Sequence, residues 1–425
     1  MSRGPGAGAF VAGRAPGARQ KQTINDRLYL LLRRLLAPLR RAPWWLKVTL
    51  VYAAARLVSY GIFLGSAWHA DDSPWGGRQP GYLTFINRWD AGWYERIFNN
   101  GYPQAIPRDP DGAAYANEWA FYPAFPLLVR GLAAITGWGW PAAGAMMATV
   151  AGLAAMLMIY LLFRNFAAPA NALWGVAFCA FFPVSAILQV PYAESLGLFF
   201  LAAALHLLVR GKYWAAMPVV FLLCVSRPAG VPFAAVVALH LALRWRRRHQ
   251  EPFPARDVIA AVVLTAFSAV MAFAWMLTAW WVTGERNAYT DTETAWRGGG
   301  GLVLFKPWFE AGVDLVGPLW GPVLPVLLVV IAALCFNARA ARRIGPELLG
   351  WSGMYLLYLL AVLHPQSSTF RMLLPMFPLA LAAVFLSPAR AYRWCVLAMF
   401  TLLQIVWVEW LWQWVAITTG QTWPP

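Results

Sequence analysis

Charged residues are scarce in this sequence. They make up 12% of its 425 residues, whereas 60% are hydrophobic, and the mean hydropathy is +0.54. A water-soluble protein of this length requires much more polar surface. The scarcity excludes a soluble globular protein and predicts an all-α polytopic membrane protein.

Cysteine is also scarce, and its placement excludes two kinds of site. The four cysteines lie singly in apolar runs, without a CxxC pair or histidines at metal-binding spacing: Cys179, Cys224, Cys335 and Cys395. We expect small core residues, with neither disulfides nor a metal site. The sequence also lacks a glycine-rich loop that would cradle nucleotide phosphates, so no cofactor is expected.

Acidic residues are few, 18 against 34 basic ones, which leaves a net charge of +16. Much of this charge lies in residues 1–43, which read as a cytoplasmic basic tail followed by an interfacial amphipathic helix, with leucines on one face and arginines on the other. The tail contains no apolar run typical of a secretory signal.

The remaining residues, 44–425, are predicted to form a single transmembrane domain of about eleven helices. With the amino terminus in the cytoplasm, cytoplasmic segments hold 22 of the 34 basic residues and four acids. This satisfies the positive-inside rule. The charge is therefore attributed to topology in the plasma membrane, and nucleic acid is excluded as a partner.

Two loops on the extracytoplasmic side are long. Residues 68–138 form the first and carry seven of the 18 acids, and residues 284–316 form the second. Segment 121–137 contains two early prolines and is predicted to be an interfacial helix, because counting it as a span would invert every later loop. Loops of this size usually carry function.

Asp90, in RWDAGWY, is the leading candidate for a general base, a partly desolvated carboxylate that accepts a hydroxyl proton. A salt-bridged loop carboxylate is the plainer interpretation. Glu95 and Glu118 compete for the role, because spacing does not distinguish three acids in one loop.

Two arginines at the outer ends of spans, Arg227 in CVSRPAG and Arg371 in HPQSSTFRMLLP, suit a lipid-linked phosphate. His364 lies near Arg371 in sequence. Arg56 either joins this site or pairs with an acid inside the bundle. Glu194 begins a span, where a first-turn acid is favoured by the helix dipole.

Aromatic residues accompany these acids and suit either stacking on sugar rings or a membrane-interface belt. Trp89 and Tyr122 lie in the first loop. Trp296 and Arg297 lie in the second, whose glycines predict a mobile segment over the site.

The segments RWDAGWYERIFNNGY, FYPAFPLLVR, PYAESLGLFF, SRPAG and HPQSSTFRMLLPMFPL occur in this order between about residues 85 and 390. Together they resemble the PIG-V family of integral-membrane mannosyltransferases, which is typified by the second mannosyltransferase of glycosylphosphatidylinositol anchor assembly. The combination is specific, whereas each segment alone is weak.

The resemblance implies a GT-C type glycosyltransferase with a large first outer loop containing interfacial helices. It implies Asp90 as the catalytic base of an inverting transfer from polyprenyl-phosphate mannose, without a nucleotide or metal. The donor phosphate is then expected at Arg227, Arg371 and His364. Sugar or acceptor contacts are expected from Arg88, Trp89, Glu118, Tyr122, Tyr192, Glu194 and Trp296.

The acceptor and the sugar stay open. Composition rich in Ala, Arg, Gly and Pro, with only four lysines, favours an actinobacterial origin, so the acceptor is expected to be a cell-envelope glycolipid, lipoglycan, polymer or protein. Arabinose or galactose could replace mannose.

Two functions other than glycosyl transfer are compatible with charged residues in a membrane protein. A lipid-linked sugar transporter or flippase would distribute charges through both halves of the bilayer and carry an inverted repeat, and neither pattern is present. An inactive scaffold that binds prenyl-phosphate lipid is disfavoured by the intact WD motif.

Overall fold

The structure, a computed structural model, describes residues 41–296 and 303–414. The predicted basic tail and nearly all of the predicted interfacial helix lie outside the described residues, as does Arg297. The chain divides into two compact units, Met1–Lys47 and Val48–Pro425.

Helices account for all regular structure in the described residues apart from two isolated bridge pairs. In chain order they are α1 (Trp44–Trp68), α2 (Tyr82–Ile86), α3 (Asp90–Asn100), α4 (Ala124–Thr136), α5 (Trp140–Phe163), α6 (Pro169–Ala180), α7 (Glu194–Val209), α8 (Tyr213–Cys224), α9 (Gly230–Arg246), α10 (Ala255–Met271), α11 (Ala274–Thr283), α12 (Ala288–Ala295), α13 (Lys306–Trp320), α14 (Val323–Asn337), α15 (Arg339–Arg342), α16 (Pro346–Val362), α17 (Pro378–Val384) and α18 (Arg390–Trp407).

Within residues 41–296 and 303–414, three helices are long and apolar enough to cross a membrane: α1, α5, and α18 together with the π-helical turn Val408–Trp412. Three further pairs pass the same test only if each bent pair counts as one span: α10–α11, α13–α14, and the 3-10 helix Ser367–Met376 with α17. A straight span requires about 20 residues. Several segments predicted as spans, including α7 and α8, form helices of only 16 and 12 residues, so the count of eleven exceeds what the helices support by length.

Small residues bring the core helices close together. Helix α5 packs along α7, and it carries Gly144, Ala148 and Gly152 in its buried face. At Gly152 the close neighbour is Tyr52 of α1. A Cβ atom added there would lie 2.2 Å from the Tyr52 hydroxyl, which donates a hydrogen bond to the carbonyl of Thr149 at 3.0 Å. Close approach of this kind is how helices associate where lipid removes the usual hydrophobic driving force.

The first long loop folds into α2, α3, a 3-10 turn at Glu118–Ala120, and α4. The segment predicted as an interfacial helix contains α4, whose 13 residues are too few for a straight span of about 20.

Three interruptions of the helical bundle lie beside the start of α3. The 3-10 helix Ser185–Gln189 and a turn precede α7, the Val225–Ala229 break with Pro228 separates α8 from α9, and Ser367–Met376 follows α16. Proline within a helix removes a hydrogen bond and favours such breaks. These breaks bring polar side chains of four different segments to one place.

Candidate active site

A cavity of about 240 Å³ lies where these segments meet. Its lining includes six residues that the sequence predicts as site residues: Asp90, Tyr122, Arg227, Trp296, His364 and Arg371. Their roles stay predictions, but the fold brings them to one cavity from positions up to 281 residues apart (371 minus 90).

The turn into α3 is conformationally strained. Trp89, the residue that precedes the helix, has φ 59° and ψ −123°, which a non-glycine residue rarely adopts. Its indole N–H donates to the carbonyl of Trp412 at 3.1 Å, and its ring packs against Trp75 with centroids 4.7 Å apart. These contacts hold the strained backbone and set the direction in which Asp90 leaves the turn.

Asp90 is the first residue of α3, where the helix dipole and free N–H groups favour a carboxylate. Its Oδ2 atom lies 2.5 Å from Arg371 Nη2. Its backbone N–H donates to the hydroxyl of Tyr192 at 3.0 Å, and that hydroxyl donates to the carbonyl of Arg88 at 3.1 Å. Arg371 therefore holds the carboxylate and Tyr192 holds the backbone of Asp90, and 17% of the side chain is exposed on the cavity wall.

Glu194 joins the two arginines behind Asp90. Its Oε1 atom lies 3.3 Å from Arg371 Nη1 and 3.4 Å from Arg227 Nη2. Gly197, one turn further along α7, makes room for the Arg227 side chain, because a Cβ atom there would lie 2.6 Å from Arg227 Cγ. The arginine at the α8–α9 break thus crosses α7 beside the carboxylate that binds it.

The cluster of Asp90, Glu194, Arg227 and Arg371 is formally neutral, with two cations and two anions. It retains unused hydrogen-bonding capacity: Arg371 Nε and Glu194 Oε2 are buried and have no partner among the described residues. Arginine carries five N–H donors, so an anion can still bind through directed hydrogen bonds although no net positive charge attracts it.

Aromatic rings form another part of the wall. Trp296 packs edge-on against Trp93 and Phe121, with centroids 5.2 and 5.8 Å apart. Tyr94 follows Asp90 by one helical turn and also lines the cavity. Burial raises the pKa of Tyr94 above its ordinary value, so its phenol stays protonated at neutral pH.

Neither a family model nor a curated protein matches this chain. Among solved structures, it is similar to the archaeal oligosaccharyltransferase AglB from Archaeoglobus fulgidus in complex with an inhibitory peptide and a dolichol-phosphate. That match has 14% identity and a TM-score of 0.45, and it covers 89% of this chain and 56% of that one.

The apo form of the Archaeoglobus fulgidus oligosaccharyltransferase matches with 14% identity and a TM-score of 0.41, over 85% of this chain and 56% of the other. The chain spans about half the length of these structures. A likeness at this level carries no chemical inference, so function is argued below from the site's own residues.

Five of the predicted site residues do not line the cavity. Glu194 and Tyr192 lie behind it, as described above, and Trp89 supports the turn. Arg88 is 1% exposed, packs over the ring of Phe85, and has a pKa that burial lowers to about 10. Glu118 begins the 3-10 turn beside Trp119.

The two acids that compete with Asp90 are also absent from the cavity lining. Glu95 accepts a hydrogen bond from Asn87 Nδ2 at 3.0 Å, and Glu118 lies in the 3-10 turn. The fold therefore distinguishes three carboxylates that spacing alone leaves equivalent.

Several cavity residues were missed at the sequence level. Glu293 and Tyr289 lie on α12, and Tyr355 and Tyr358 lie on α16. A signal was present, because Tyr289, Glu293 and Trp296 are spaced i, i+4 and i+7, which puts them on one helical face. The short, polar α12 sequence gave no reason to expect a helix there.

Helix α12 is joined to the first loop by a polar clasp. Arg108 Nη2 lies 2.5 Å from Glu285 Oε2 and 2.7 Å from Asp291 Oδ2. Hydrogen bonds to both carboxylates raise the pKa of Arg108, with the larger contribution from Asp291 and the smaller from Glu285. The hydrogen bond from Arg108 in turn lowers the pKa of Glu285. Asn117 Nδ2 also donates to Thr292 Oγ1 at 3.0 Å. The clasp connects the two parts of the cavity wall that lie in different loops.

In the described part of the chain, no three His, Cys, Asp or Glu side chains are grouped so that they could hold a metal ion.

Proposed function

We propose that this protein is a GT-C type glycosyltransferase of the PIG-V kind. In this proposal it moves a mannosyl residue from polyprenyl-phosphate mannose to an extracytoplasmic glycolipid, lipoglycan, polymer or protein. The reaction is an inverting displacement with Asp90 as the general base.

One observation carries the proposal: Asp90, Arg227 and Arg371 line the same small cavity, beside aromatic rings. Drug-sized ligands occupy pockets of about 300–1,000 Å³. This cavity, at about 240 Å³, suits a single sugar with its phosphate. The guanidinium groups suit the phosphate, the rings suit the apolar face of a sugar, and the carboxylate suits proton removal.

In the proposed reaction, the Asp90 carboxylate takes the proton of an acceptor hydroxyl while that oxygen attacks the anomeric carbon. The bond from this carbon to the phosphate oxygen breaks, and the phosphate leaves with the electron pair. Charge then grows on the phosphate, where N–H groups of Arg227 and Arg371 stabilise it. The attacking and leaving oxygens lie on opposite faces of the carbon, so its configuration inverts.

The surrounding residues are assigned supporting roles. His364 lies in the cavity wall and would add a donor to the phosphate. Tyr122 and Trp296 would contact the sugar. Glu194 would hold both arginines, while Tyr192, Arg88 and Trp89 would hold the turn that carries Asp90. Glu118, which does not line the cavity, would contact the acceptor.

The proposed topology has eleven spans, a cytoplasmic amino terminus and an extracytoplasmic site in the plasma membrane. The distribution of basic residues supports it, because the positive-inside rule then holds at every cytoplasmic loop. Spans shorter than about 20 residues would require local thinning of the bilayer or snorkelling of flanking residues.

The test measures transfer of labelled mannose from a short-chain polyprenyl-phosphate mannose to a membrane lipid extract, with EDTA present. Asp90→Asn should lower turnover by about 10²–10⁴-fold, the usual contribution of a general base. It should still bind polyprenyl phosphate at least as well as the parent protein, because the cluster loses one negative charge. Glu95→Gln is the matched control, because Glu95 is a carboxylate of the same helix that does not line the cavity.

Normal turnover by Asp90→Asn would refute the assignment of the base. No transfer by the unaltered protein with any mannosyl, arabinosyl or galactosyl donor, despite tight polyprenyl-phosphate binding, would instead favour the carrier or scaffold alternatives.

A further inference from the structure

The cavity has a second group of polar residues, of which only Tyr122 has a role in the proposed reaction. Glu293 and Tyr289 of α12, Tyr122 of the first loop, and Tyr358 of α16 all line it. Glu293 and Asp90 are the only carboxylates in its lining among the described residues. The two acids come from different loops and have different surroundings.

Two tyrosines lie close enough to Glu293 to feel its charge, Tyr122 and Tyr289. The hydroxyls of Tyr122 and Tyr289 lie 3.3 Å apart, and their rings meet edge-on with centroids 6.4 Å apart. Burial raises the pKa of both phenols well above the ordinary value, and Tyr358 and Glu293 raise that of Tyr122 further. The phenols therefore remain protonated and can both donate and accept hydrogen bonds.

The surroundings of Asp90 are cations. Asp90 contacts Arg371, and Arg227 and Arg371 both oppose the burial that raises the pKa of neighbouring Tyr94. The carboxylate that raises the pKa of Tyr289 is Glu293. The cavity lining thus combines a guanidinium group beside Asp90, which suits a phosphate, with a tyrosine–carboxylate group around Glu293.

The chemistry of the group around Glu293 suits a ring bearing several hydroxyl groups. An ionised carboxylate accepts up to two hydroxyl hydrogens at once, and phenols can serve as partners for the remaining hydroxyl groups. Aromatic rings cover the apolar face of such a ring at little cost in conformational entropy. A phosphate would be repelled there by the charge of Glu293.

We propose that Glu293, with Tyr289 and Tyr122, forms the subsite that binds the hydroxyl groups of the donor sugar and determines which sugar is accepted. This rests on the proposed function, since a sugar attached to a phosphate at the arginines would extend toward this group in a cavity that fits one ring. Glu293 is a specificity-determining residue in this proposal, and Asp90 keeps the role of base.

The test uses two probes, one that represents the sugar of the proposed donor and one that represents its lipid phosphate. Binding of methyl glycosides of mannose, galactose and arabinose to the full-length protein is measured by ligand-detected NMR, and binding of a short-chain polyprenyl phosphate is measured by calorimetry. Glu293→Gln should weaken binding of the preferred glycoside by about 10- to 100-fold, the usual range for a hydrogen bond to a charged group. It should leave polyprenyl-phosphate binding unchanged.

Tyr289→Phe, which removes one hydroxyl and keeps the ring, should weaken glycoside binding by about three- to tenfold. Glu310→Gln is the matched control, because Glu310 is half exposed and pairs with Lys306 on α13 at 2.8 Å. This control should bind both probes like the parent protein. Normal binding of polyprenyl phosphate by each variant shows that it is folded.

Equal glycoside affinity in Glu293→Gln and the parent protein, or no glycoside binding by the parent protein, would overturn the subsite. Loss of turnover by Glu293→Gln with normal glycoside binding would also overturn it and make Glu293 a catalytic group. If glycosides bind in a Glu293-dependent way but no donor is turned over, the subsite stands and the proposed transfer is wrong.

Discussion

Arg56 and Arg371 are both buried arginines in an apolar protein, but they have different partners. Arg56 lies in α1, where Nη1 donates to the carbonyl of Ser185 at 2.5 Å and Nη2 to that of Ala180 at 2.9 Å. Arg371 lies in a 3-10 helix and contacts Asp90 and Glu194 beside the cavity. One arginine is bound by the main chain and the other by carboxylates.

The difference indicates what each arginine does. Arg56 binds the carbonyl of Ala180 at the end of α6, where helix geometry leaves acceptors unpaired, and the carbonyl of Ser185, the first residue of the next 3-10 helix. Arg56 thus connects α1 to a break in the bundle. The sequence left two predictions for Arg56, a place in the phosphate site or an acidic partner in the bundle. Neither holds, because Arg56 lies outside the cavity lining and has no acidic partner among the described residues.

Among substitutions of the arginines, the largest effect is expected from Arg371→Lys. A lysine has one charged nitrogen and no planar fork, so it cannot contact Asp90 and Glu194 as the guanidinium does. Loss of one preorganised donor to developing charge typically costs about 10²–10³-fold in turnover. Mannose transfer should fall by that factor, measured as kcat/KM per mole of folded protein. Arg56→Lys, the same substitution at the other arginine, should keep the parent value.

The second effect is on stability. Arg56→Lys cannot serve both carbonyls and the Ser185 hydroxyl, which Arg56 Nη2 reaches at 3.3 Å. Hydrogen bonds to charged groups contribute about 1.5–3 kcal/mol each, so the free energy of unfolding should fall by about that amount for one lost bond. Unfolding in mixed detergent micelles measures it. A normal unfolding free energy combined with poor transfer would show that Arg56 belongs to the site.

The smallest effect is expected at a third arginine, Arg108, which is about one-third exposed. Arg108→Gln removes the clasp on α12, and exposed pairs contribute about 1 kcal/mol or less. The hydrogen bond from Arg108 lowers the pKa of Glu285 in the folded protein. The pair therefore stabilises the fold fully at pH values above the ordinary carboxyl pKa of 4.5, and this stabilisation is lost as the pH falls through the lowered pKa.

The unfolding midpoints of the parent protein and Arg108→Gln should therefore differ at pH 7 and converge below about pH 4, near the ordinary carboxyl pKa. Salt should narrow the difference at pH 7, because exposed pairs are screened. A constant difference across this pH range would mean that Arg108 acts through packing and not through its carboxylate partners.

Much of the site was predictable because certain residue types are costly in an apolar chain. Asp90, Arg227 and Arg371 stand out in the sequence since burying a charge requires a partner or a function. The sequence also predicts that the three lie on the same face of the membrane. Their pairing through Glu194, and the choice of Asp90 over Glu95 and Glu118, depend on helix breaks at residues far apart in the chain.

Other parts were not predictable from local pattern. Glu293 lies in a short, polar helix whose composition is typical of a loop, and it reaches the cavity because Arg108 and Asn117 hold that helix against the first loop. For a related reason, the described residues contain fewer helices of spanning length than the eleven predicted spans. Hydropathy detects apolar runs, whereas helix length is decided by breaks such as the one at Pro228.

The amino-acid order alone was sufficient for the membrane setting, the all-helical class and the candidate charged residues, because these follow from the cost of transferring polar groups into lipid. Tertiary structure decided which carboxylate contacts which arginine. It also decided that Glu95 and Glu118 do not line the cavity and that Glu293 lines it together with Asp90. Such contacts depend on distances of a few ångströms between segments separated by hundreds of residues, and no local pattern encodes them.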